Sequence, residues 1–280
     1  MNNANKKIFL ITGGSAGFGR AFAEAAVEAG HTVVGTVRRE DDRIAFEAMH
    51  QGRARAVIID VTRFGSIGPA IRKVEKDIGP IDVLVNNAGY GHEGTLEESP
   101  LADLIHQFEV NVFGAVAMIK AVLPGMRQRR RGHIVNITSM AGYMSMPGIA
   151  YYSGSKFALE GISEALAQEV KGLGIKVTAI APGSFRTDWA GRSMVRSGRS
   201  IADYDAVFEP IRKRRREYSG HQAGDPAKAA QVLLKIVDAD NPPIHLLLGN
   251  DAMKLVEERL AMLGSEIKAW ESVSRSTDFA

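Results

Sequence analysis

The sequence contains no cysteine. That absence excludes disulfide bonds, thiolate metal sites and a cysteine nucleophile, and it fits a reducing compartment. A metal site would therefore need histidines and carboxylates. The seven histidines lie far apart, with no pair at the three- or four-residue spacing of helical zinc motifs; they are His31, His50, His92, His106, His133, His221 and His245. We predict no structural or catalytic metal.

Long apolar runs are missing from the N-terminal region. The stretch from Met1 to Lys7 is mostly polar. The apolar run that follows, Ile8 to Ile11, is shorter than the roughly 7–15 residues of a signal-peptide core or the ~20 residues of a membrane span. We expect a cytoplasmic protein with no membrane partner.

Neither sign of charge dominates, since the sequence has 35 basic and 32 acidic residues and a net charge of +3. Two basic runs stand out, Arg129–Arg131 and Arg212–Arg216. The first lies at the end of a helical pattern, where cations complement the helix dipole, and neither contains the interleaved aromatic residues of a base-stacking surface. We predict no nucleic-acid partner.

Short apolar, β-branched runs alternate with longer helical patterns along the chain, which is typical of repeated βαβ units. We predict an α/β fold: a doubly wound, Rossmann-type parallel sheet of about seven strands with helices on both faces. The 280 residues should form one domain, with a core over about 6–250 and a helical extension over about 251–280. The predicted strands are Lys7–Thr12, Thr32–Val37, Arg55–Asp60, Val83–Asn86, His133–Thr138, Lys176–Ala181 and His245–Leu248.

Two helix starts are indicated by a capping residue before proline, namely Ser99-Pro100 and Asp225-Pro226. The C-terminal extension is amphipathic, with apolar residues that include Val256, Leu260 and Ile267. We favour a closing helix that packs on the core, and a partner surface is the alternative.

A glycine-rich loop follows the first predicted strand, in the segment Thr12-Gly13-Gly14-Ser15-Ala16-Gly17-Phe18-Gly19. An alanine-rich helix, Arg20 to Ala29, comes directly after it. Glycines allow the backbone to turn tightly and approach a pyrophosphate, which the helix N-terminus attracts. The spacing is not the G-x-G-x-x-G form, so an ordinary strand-to-helix turn stays open as the alternative.

Tyr152 and Lys156 are four residues apart in a helical pattern, so their side chains project from one face. A Tyr-x-x-x-Lys pair alone is common by chance. Two further motifs support a catalytic role for this pair: Ser139 ends a predicted strand thirteen residues upstream, and Asn86-Asn87-Ala88-Gly89 ends another.

With these motifs in this order, the chain resembles the short-chain dehydrogenase/reductase family, in its single-domain type with a Tyr-x-x-x-Lys active site. The resemblance covers about residues 6–250. The matching positions are Thr12, Gly13, Gly17, Gly19, Asp60, Asn86 to Gly89, Asn111, Ser139, Tyr152, Lys156, Pro182, Gly183 and Thr187.

The resemblance implies a hydride transfer between a nicotinamide cofactor and a carbonyl or alcohol, which requires a general acid/base at the reacting oxygen. Tyr152 would take that role, with Ser139 donating a hydrogen bond to the same oxygen. Lys156 would hold the nicotinamide ribose and, together with oxidised nicotinamide, favour the phenolate of Tyr152. Asn111 would position a relay water, unless it is only a bracing residue. Tyr151 is the rival to Tyr152, but the residue four beyond it is a serine, which cannot lower a phenol pKa.

The predicted cofactor-binding residues come from six segments. These residues are Gly13, Ser15, Gly17, Phe18 and Gly19 of the glycine loop, Arg38 and Arg39, Asp60 and Val61, Asn87, Ala88 and Gly89, the pair Tyr152 and Lys156, and Pro182, Gly183 and Thr187. Among them, Asn87 is expected to have a structural role more than a catalytic one.

The end of the second predicted strand predicts NADP(H) in preference to NAD(H). An acidic residue normally takes the adenosine ribose hydroxyls of NAD at this place, whereas here the chain continues as Val37-Arg38-Arg39. A guanidinium can bind a 2′-phosphate, and Ser15 could add a further hydrogen bond. Arg39 could equally be a solvated surface residue.

The substrate should be a small carbonyl or alcohol compound with an apolar body. Tyr143, Met144, Met146 and the stretch from about Trp189 to Tyr218 are expected to shape its pocket. The polar segment from Arg192 to Gly220 is predicted to be a lid that orders on binding, and His92 lies either at the pocket rim or on a solvated loop. A non-catalytic dinucleotide-binding sensor on the same fold is the alternative function.

The helices Leu101–Arg127 and Tyr151–Leu173 resemble those that pair in homodimers or homotetramers of the family, with Val112, Val116, Phe157, Ile162 and Leu166 as candidate contacts.

Overall fold

A seven-stranded parallel sheet forms the centre of the computed structural model, which describes residues 6–187, 189, 191 and 193–279. Its strands are β1 (Ile8–Ile11), β2 (Thr32–Val37), β3 (Ala54–Ile58), β4 (Val83–Asn86), β6 (Gly132–Ile137), β7 (Ile175–Pro182) and β9 (His245–Leu248). Their order across the sheet is β3-β2-β1-β4-β6-β7-β9. All seven predicted strands are confirmed, three with the predicted ends and four with ends shifted by one or two residues. The order reverses direction between β1 and β4, and ligands bind at such a switch point.

Helices cover both faces of the sheet, as predicted. The helices are α1 (Gly17–Glu28), α2 (Glu40–Glu47), α3 (Phe64–Asp77), α4 (Leu101–Phe108), α5 (Gly114–Arg129), α6 (Ala150–Val170), α7 (Asp205–Glu217), α8 (Pro226–Asp238), α9 (Asn250–Ala269) and α10 (Glu271–Arg275). Residues on β1 alternate between two cores: Phe9 packs with helices α1 and α8, while Leu10 packs with α3, α5 and α6.

A π-helical turn, Glu109–Phe113, joins α4 to α5 into one continuous helical stretch, Leu101–Arg129. By length and composition this stretch is apolar enough to cross a membrane, with a mean hydropathy of 1.4. Its residues Met118, Val122 and Met126 belong to the core beneath the sheet. A buried core helix meets the same test of composition.

One of the two predicted helix caps is confirmed. The Asp225 side chain accepts a hydrogen bond from the Ala227 backbone N–H at 2.8 Å, at the start of α8. The prediction for Ser99 is wrong, because α4 begins one residue later and Pro100 is its N-cap. The Ser99 hydroxyl instead donates to the Thr95 carbonyl at 2.6 Å.

The C-terminal extension is helical, but only its first two turns pack on the core. Ala252 and Val256 are buried, whereas every described residue from Leu260 onward is exposed, including Ile267 at 62% and Trp270 at 65%. The predicted core packing is therefore wrong for this half of α9. The described residues from Leu260 onward belong to none of the hydrophobic core clusters.

A small second sheet was not predicted. It pairs two three-residue strands in parallel, β5 (Gly91–Glu93) and β8 (Met194–Arg196). The pairing joins the loop after β4 to the segment after β7, and α7 follows that segment. These parts form the wall on one side of the site described next.

Candidate active site

One cavity of about 950 Å³ lies at the carboxyl ends of the central strands and extends to the wall formed by β8 and α7. It brings together residues that are far apart in the sequence. The predicted site residues that line it are Gly13, Ser15, Gly17, Phe18, Arg38, Arg39, Asp60, Val61, Asn87, Ala88, Gly89, Ser139, Tyr152, Lys156, Pro182, Gly183 and Thr187. Among the residues that the structure describes, no group of three or more His, Asp and Glu could hold a metal ion.

The glycine loop has the geometry of an anion cradle. Gly13 and Gly17 have positive φ angles of 66° and 54°, which glycine adopts without strain. No side chain caps the N-terminus of α1, so its first N–H groups can bind an anion. Thr187 faces the loop, because a Cβ on Gly17 would lie 3.7 Å from the Thr187 Cβ. The uncapped N–H groups beside these glycine turns suit a pyrophosphate.

Gly19 is a predicted site residue that does not line the cavity. It is buried behind the loop, and a Cβ there would collide with the Gly13 carbonyl and with the Asn87 side chain. Gly19 therefore allows the loop and α1 to pack closely. The sequence pattern alone does not distinguish this packing role from direct contact with the cofactor.

Asn87 and Thr12 fasten the loop to the end of β4. The Asn87 Nδ2 donates to the Thr12 carbonyl at 2.9 Å and to the Gly13 carbonyl at 3.2 Å. In return, the backbone N–H groups of Asn87 and Ala88 donate to the Thr12 hydroxyl, each at 2.9 Å. Asn87 therefore has the structural role that was expected for it.

The two arginines after β2 have different surroundings. Arg39 is held by Asp42 in a bidentate ion pair, with both N–O distances at 3.0 Å. Arg38 is exposed, and its positive charge is among the causes that lower the pKa of Asp60, after the hydrogen bonds from Thr62. The structure thus gives Arg39 an acidic partner at hydrogen-bond distance, while Arg38 is exposed at the cavity.

Tyr152 and Lys156 lie one helical turn apart on α6 and are buried at the same cavity wall. The Lys156 Nζ lies 5.7 Å from the centroid of the Tyr152 ring and donates to the Ile137 carbonyl at 2.9 Å. Ser139 follows β6, and its hydroxyl accepts from the Ala141 N–H at 3.1 Å while its presence lowers the pKa of Tyr152. The structure thus brings Ser139, Tyr152 and Lys156 together as predicted.

Burial controls the titration of this pair. It raises the pKa of Tyr152 to about 12, against the opposing effect of the hydrogen-bonding groups of Ser139 and Trp189. It lowers the pKa of Lys156 to about 8, while the negative charge of Glu160 acts in the opposite direction. The phenolate-favouring shift expected from Lys156 together with oxidised nicotinamide stays a prediction.

Asn111 lies in the π-helical turn and does not line the cavity. Its Oδ1 accepts from the Tyr90 N–H at 3.1 Å, and its Nδ2 donates to the Tyr90 carbonyl at 3.1 Å and to the Ser155 hydroxyl at 3.0 Å. These bonds brace the loop after Gly89, next to Lys156. The relay role of Asn111 stays a prediction.

The end of the cavity beyond Tyr152 is lined partly by residues predicted to shape the substrate pocket. Met146 and Trp189 line it and pack against Tyr152, and the ring centroids of Trp189 and Tyr152 are 5.1 Å apart. Tyr143 and Met144 do not line it, so that prediction is wrong. The Tyr143 hydroxyl instead donates to the Glu160 carboxylate at 2.9 Å.

Both interpretations of His92 are wrong, because it is neither at the pocket rim nor solvated. It is 1% exposed on β5, with its Nε2 3.0 Å from the Ser197 hydroxyl and 3.2 Å from the Asp103 carboxylate. Its ring also packs on Tyr151, with centroids 4.9 Å apart. It therefore fastens the lid segment to the body.

The lid was predicted as polar and contains a buried charge cluster that the sequence did not reveal. The carboxylate of Glu93 on β5 pairs with Arg196, Arg212 and Arg215 of the lid. Position 192, at the start of the predicted lid, lies outside the described residues. Arg212 and Arg215 belong to the second basic run, and only the fold shows that they turn inward.

Comparisons with known proteins agree on one family. The family model for short chain dehydrogenases matches residues 7–196. Oxidoreductase BOA17 of Botryotinia fuckeliana is 36% identical over 270 residues, which cover 96% of this chain and 98% of that protein. The 3-ketodihydrosphingosine reductase of Bacteroides thetaiotaomicron is 39% identical over 245 residues, covering 87% of this chain and 88% of its own. The crystal structure of a short-chain dehydrogenase from Streptomyces avermitilis matches with a TM-score of 0.92 and 41% identity, over 99% of this chain and all of that one.

Proposed function

The chain belongs to the short-chain dehydrogenase family of oxidoreductases, and from this premise we propose that it transfers a hydride between NADP(H) and a carbonyl or secondary-alcohol substrate. Tyr152 is the general acid/base. The observation that carries the proposal is the single cavity that extends from the glycine loop past Ser139, Tyr152 and Lys156.

The residues of the cofactor half fit a nicotinamide dinucleotide. The uncapped N-terminus of α1 and the tight turns at Gly13 and Gly17 would hold the pyrophosphate, with Asp60 and Val61 beside the adenosine. Arg38 would bind a 2′-phosphate. When bound, the cofactor supplies or accepts the hydride at the substrate carbon.

The surroundings of Tyr152 suit a proton donor. A pKa of about 12 keeps the phenol protonated at neutral pH, so that it can donate its proton to the oxygen of a carbonyl being reduced. Oxidation of an alcohol requires the opposite transfer, and the positive charge of oxidised nicotinamide together with protonated Lys156 lowers the cost of the phenolate.

Ser139 and Lys156 assist the same oxygen in different ways. Ser139 stands at the cavity wall and would donate a hydrogen bond to the developing oxyanion. The Lys156 Nζ, held by the Ile137 carbonyl, would bind the nicotinamide ribose hydroxyls. Asn111 would anchor a relay water while its amide braces the Tyr90 loop.

A non-catalytic sensor that binds the same dinucleotide is the alternative function, and a turnover panel separates the two. Ketones, aldehydes and alcohols are tested with NADPH or NADP⁺, following nicotinamide absorbance, for the parent and Tyr152→Phe. If the protein is an enzyme, the parent should turn over at least one substrate class, and Tyr152→Phe should lose that turnover. Tight cofactor binding with no turnover on any substrate would instead identify a sensor.

We expect kcat/KM for carbonyl reduction to be flat below about pH 7 and to fall above about pH 8. The fall reflects deprotonation of Lys156, whose pKa burial lowers to about 8 and whose ammonium holds the cofactor. Glu160 raises that pKa, so Glu160→Gln moves the fall to lower pH. Initial rates from pH 6 to 10 at constant ionic strength give the pH profile of kcat/KM for the parent and for Glu160→Gln. If kcat/KM falls at a higher pH in Glu160→Gln than in the parent, the assignment of the fall to Lys156 is wrong.

We also propose a cytoplasmic homo-oligomer. Val112 and Leu166 are buried in the core, so these two predicted interface contacts are wrong. Phe157 is 46% exposed, and Leu101, Ile105 and Phe113 are exposed on the neighbouring helical stretch. Cell fractionation tests the location.

Light scattering at micromolar concentration tests the assembly, and it should give a mass of at least twice 30.3 kDa. Phe157→Glu is expected to reduce that mass, because a charge would be buried in the interface. Ile44→Glu, on the exposed face of α2, is the matched control and should leave it unchanged. A parent of 30.3 kDa alone would contradict the assembly.

A further inference from the structure

An ionic cluster forms the cavity wall where β5, β8 and α7 meet. Its centre is Glu93, which is 1% exposed. One carboxylate oxygen accepts from the Arg196 Nε at 3.1 Å and lies 3.6 Å from the Arg212 Nε. The other accepts from the Arg215 Nη1 at 2.7 Å. Three guanidinium groups therefore meet at one buried carboxylate.

Within the described residues, three guanidinium groups share the negative charge of Glu93. Arg212 also approaches Glu209, at 3.4 Å, whereas Glu93 is the one acidic partner of Arg215 among the described residues. The carboxylates among the described cavity-lining residues are Asp42 and Asp60, both at the adenosine end. At the other end, the described lining residues include the arginine Arg215 and no acidic side chain.

Arg215 combines the positive charge of its guanidinium with an N–H donor that makes no hydrogen bond within the described chain. It lines the cavity, and its side chain is 12% exposed. Within the described chain its Nη2 is buried and has no hydrogen-bond partner. A buried donor of a charged group without a partner is unfavourable, and an oxyanion relieves that cost because a guanidinium can hold two acids at once.

We propose that Arg215 binds an acidic group of the substrate, so that the substrates are carbonyl or alcohol compounds that carry a carboxylate or a similar oxyanion. The inference rests on the proposed oxidoreductase function and narrows its substrate class. Glu93 positions the guanidinium, and Arg215 is the residue that selects the anion.

The path from Tyr152 to Arg215 indicates how far the acid lies from the reacting carbon. Trp189 packs on Tyr152, and a Cβ on Gly91 would lie 2.9 Å from the Trp189 ring. Glu93 is two residues further along β5, which is roughly 6.6 Å of strand. The carbonyl and the acid are therefore separated by a chain of several atoms, which passes the apolar wall of Trp189 and Val195.

The test uses keto acids of increasing length and their methyl esters, which keep the same carbonyl without the charge. The probes are 4-oxopentanoate, 5-oxohexanoate and 6-oxoheptanoate. For at least one length the parent should reduce the acid with a higher kcat/KM than its ester. Arg215→Gln should lower kcat/KM for that acid by about 10- to 100-fold and change that of the ester by less than about 3-fold, as expected for one charge-assisted hydrogen bond.

Arg212→Gln is the matched control, because Arg212 lies on the same helix and beside the same Glu93 carboxylate but does not line the cavity. It should affect acid and ester alike. Calorimetric titration of the three acids and their esters into the NADP⁺ complex gives a readout without turnover, and in Arg215→Gln the affinity for the preferred acid should fall.

Three results would overturn the role of Arg215: equal loss for acid and ester, the same acid-specific loss in Arg212→Gln, or a parent that neither reduces nor binds any acid better than its ester. Weaker NADPH binding in Arg215→Gln with an unchanged acid-to-ester ratio would assign this arginine to the cofactor instead. If the parent reduces neither acids nor esters nor any compound of the panel, the proposed function itself fails.

Discussion

Tyr152→Phe should lower kcat by about 10²- to 10⁴-fold, the contribution of a positioned general acid/base. The substitution removes the hydroxyl and keeps the ring that packs on Trp189, Ile149 and Ala141. The fold and the cofactor half of the cavity should therefore be unchanged. The loss corresponds to roughly 3–5.5 kcal/mol of transition-state stabilisation.

The preceding residue provides a control that differs only in position. Tyr151 is also buried, but its hydroxyl donates to the Ser99 carbonyl at 2.8 Å and is engaged in structure. Tyr151→Phe should cost about 1–3 kcal/mol of unfolding free energy, because it leaves that buried carbonyl unpaired, and should keep most of kcat. Steady-state kinetics, chemical denaturation and NADPH titration of both variants measure this. If Tyr152→Phe keeps more than a tenth of kcat, the acid/base assignment is wrong.

Arg38→Ala should weaken NADP(H) binding by about 10- to 150-fold and leave NAD(H) affinity nearly unchanged, because it removes a charge-assisted hydrogen bond to the 2′-phosphate. The exposed Arg38 side chain borders the cavity beside Asp60. The acids Glu40, Asp41 and Asp42 in the first turn of α2 oppose a phosphate, so the arginine has to overcome them.

Arg39→Ala is the matched control. Arg39 already pairs with Asp42 through two hydrogen bonds of 3.0 Å, so its loss should change the ratio of the two affinities by less than about 3-fold. Calorimetry of the parent and both variants with each cofactor decides the question. A parent that binds NAD(H) as tightly as NADP(H) refutes the proposed preference.

Much of the fold could be predicted from the sequence because its signals are local. Strands buried on both faces, such as β4, must be continuous apolar runs, and all seven were recognised. The cap of α8 by Asp225 depends on adjacent residues only. The cap at Ser99 failed because a hydrogen bond to Thr95, inside the preceding turn, competes for the same hydroxyl.

The site was predictable to the extent that its residues follow strands or share a helix face. Parallel strands deliver their carboxyl ends to one edge, so Gly13, Asn87 and Ser139 meet without further information. Tyr152 and Lys156 meet because they are one turn apart. The titration of the pair was not predictable, since it depends on how deeply the folded chain buries it.

By itself, then, the sequence determined the central sheet, the glycine loop and the Ser139, Tyr152 and Lys156 arrangement, because each is encoded by spacing within one segment or by the place where a strand ends. The tertiary structure alone decided the second sheet of β5 and β8, whose pairing joins segments about a hundred residues apart. It also decided which arginines of a polar lid turn inward to Glu93. The charge of a residue is local information, but its burial and its partner are set by chain segments that the sequence places far away.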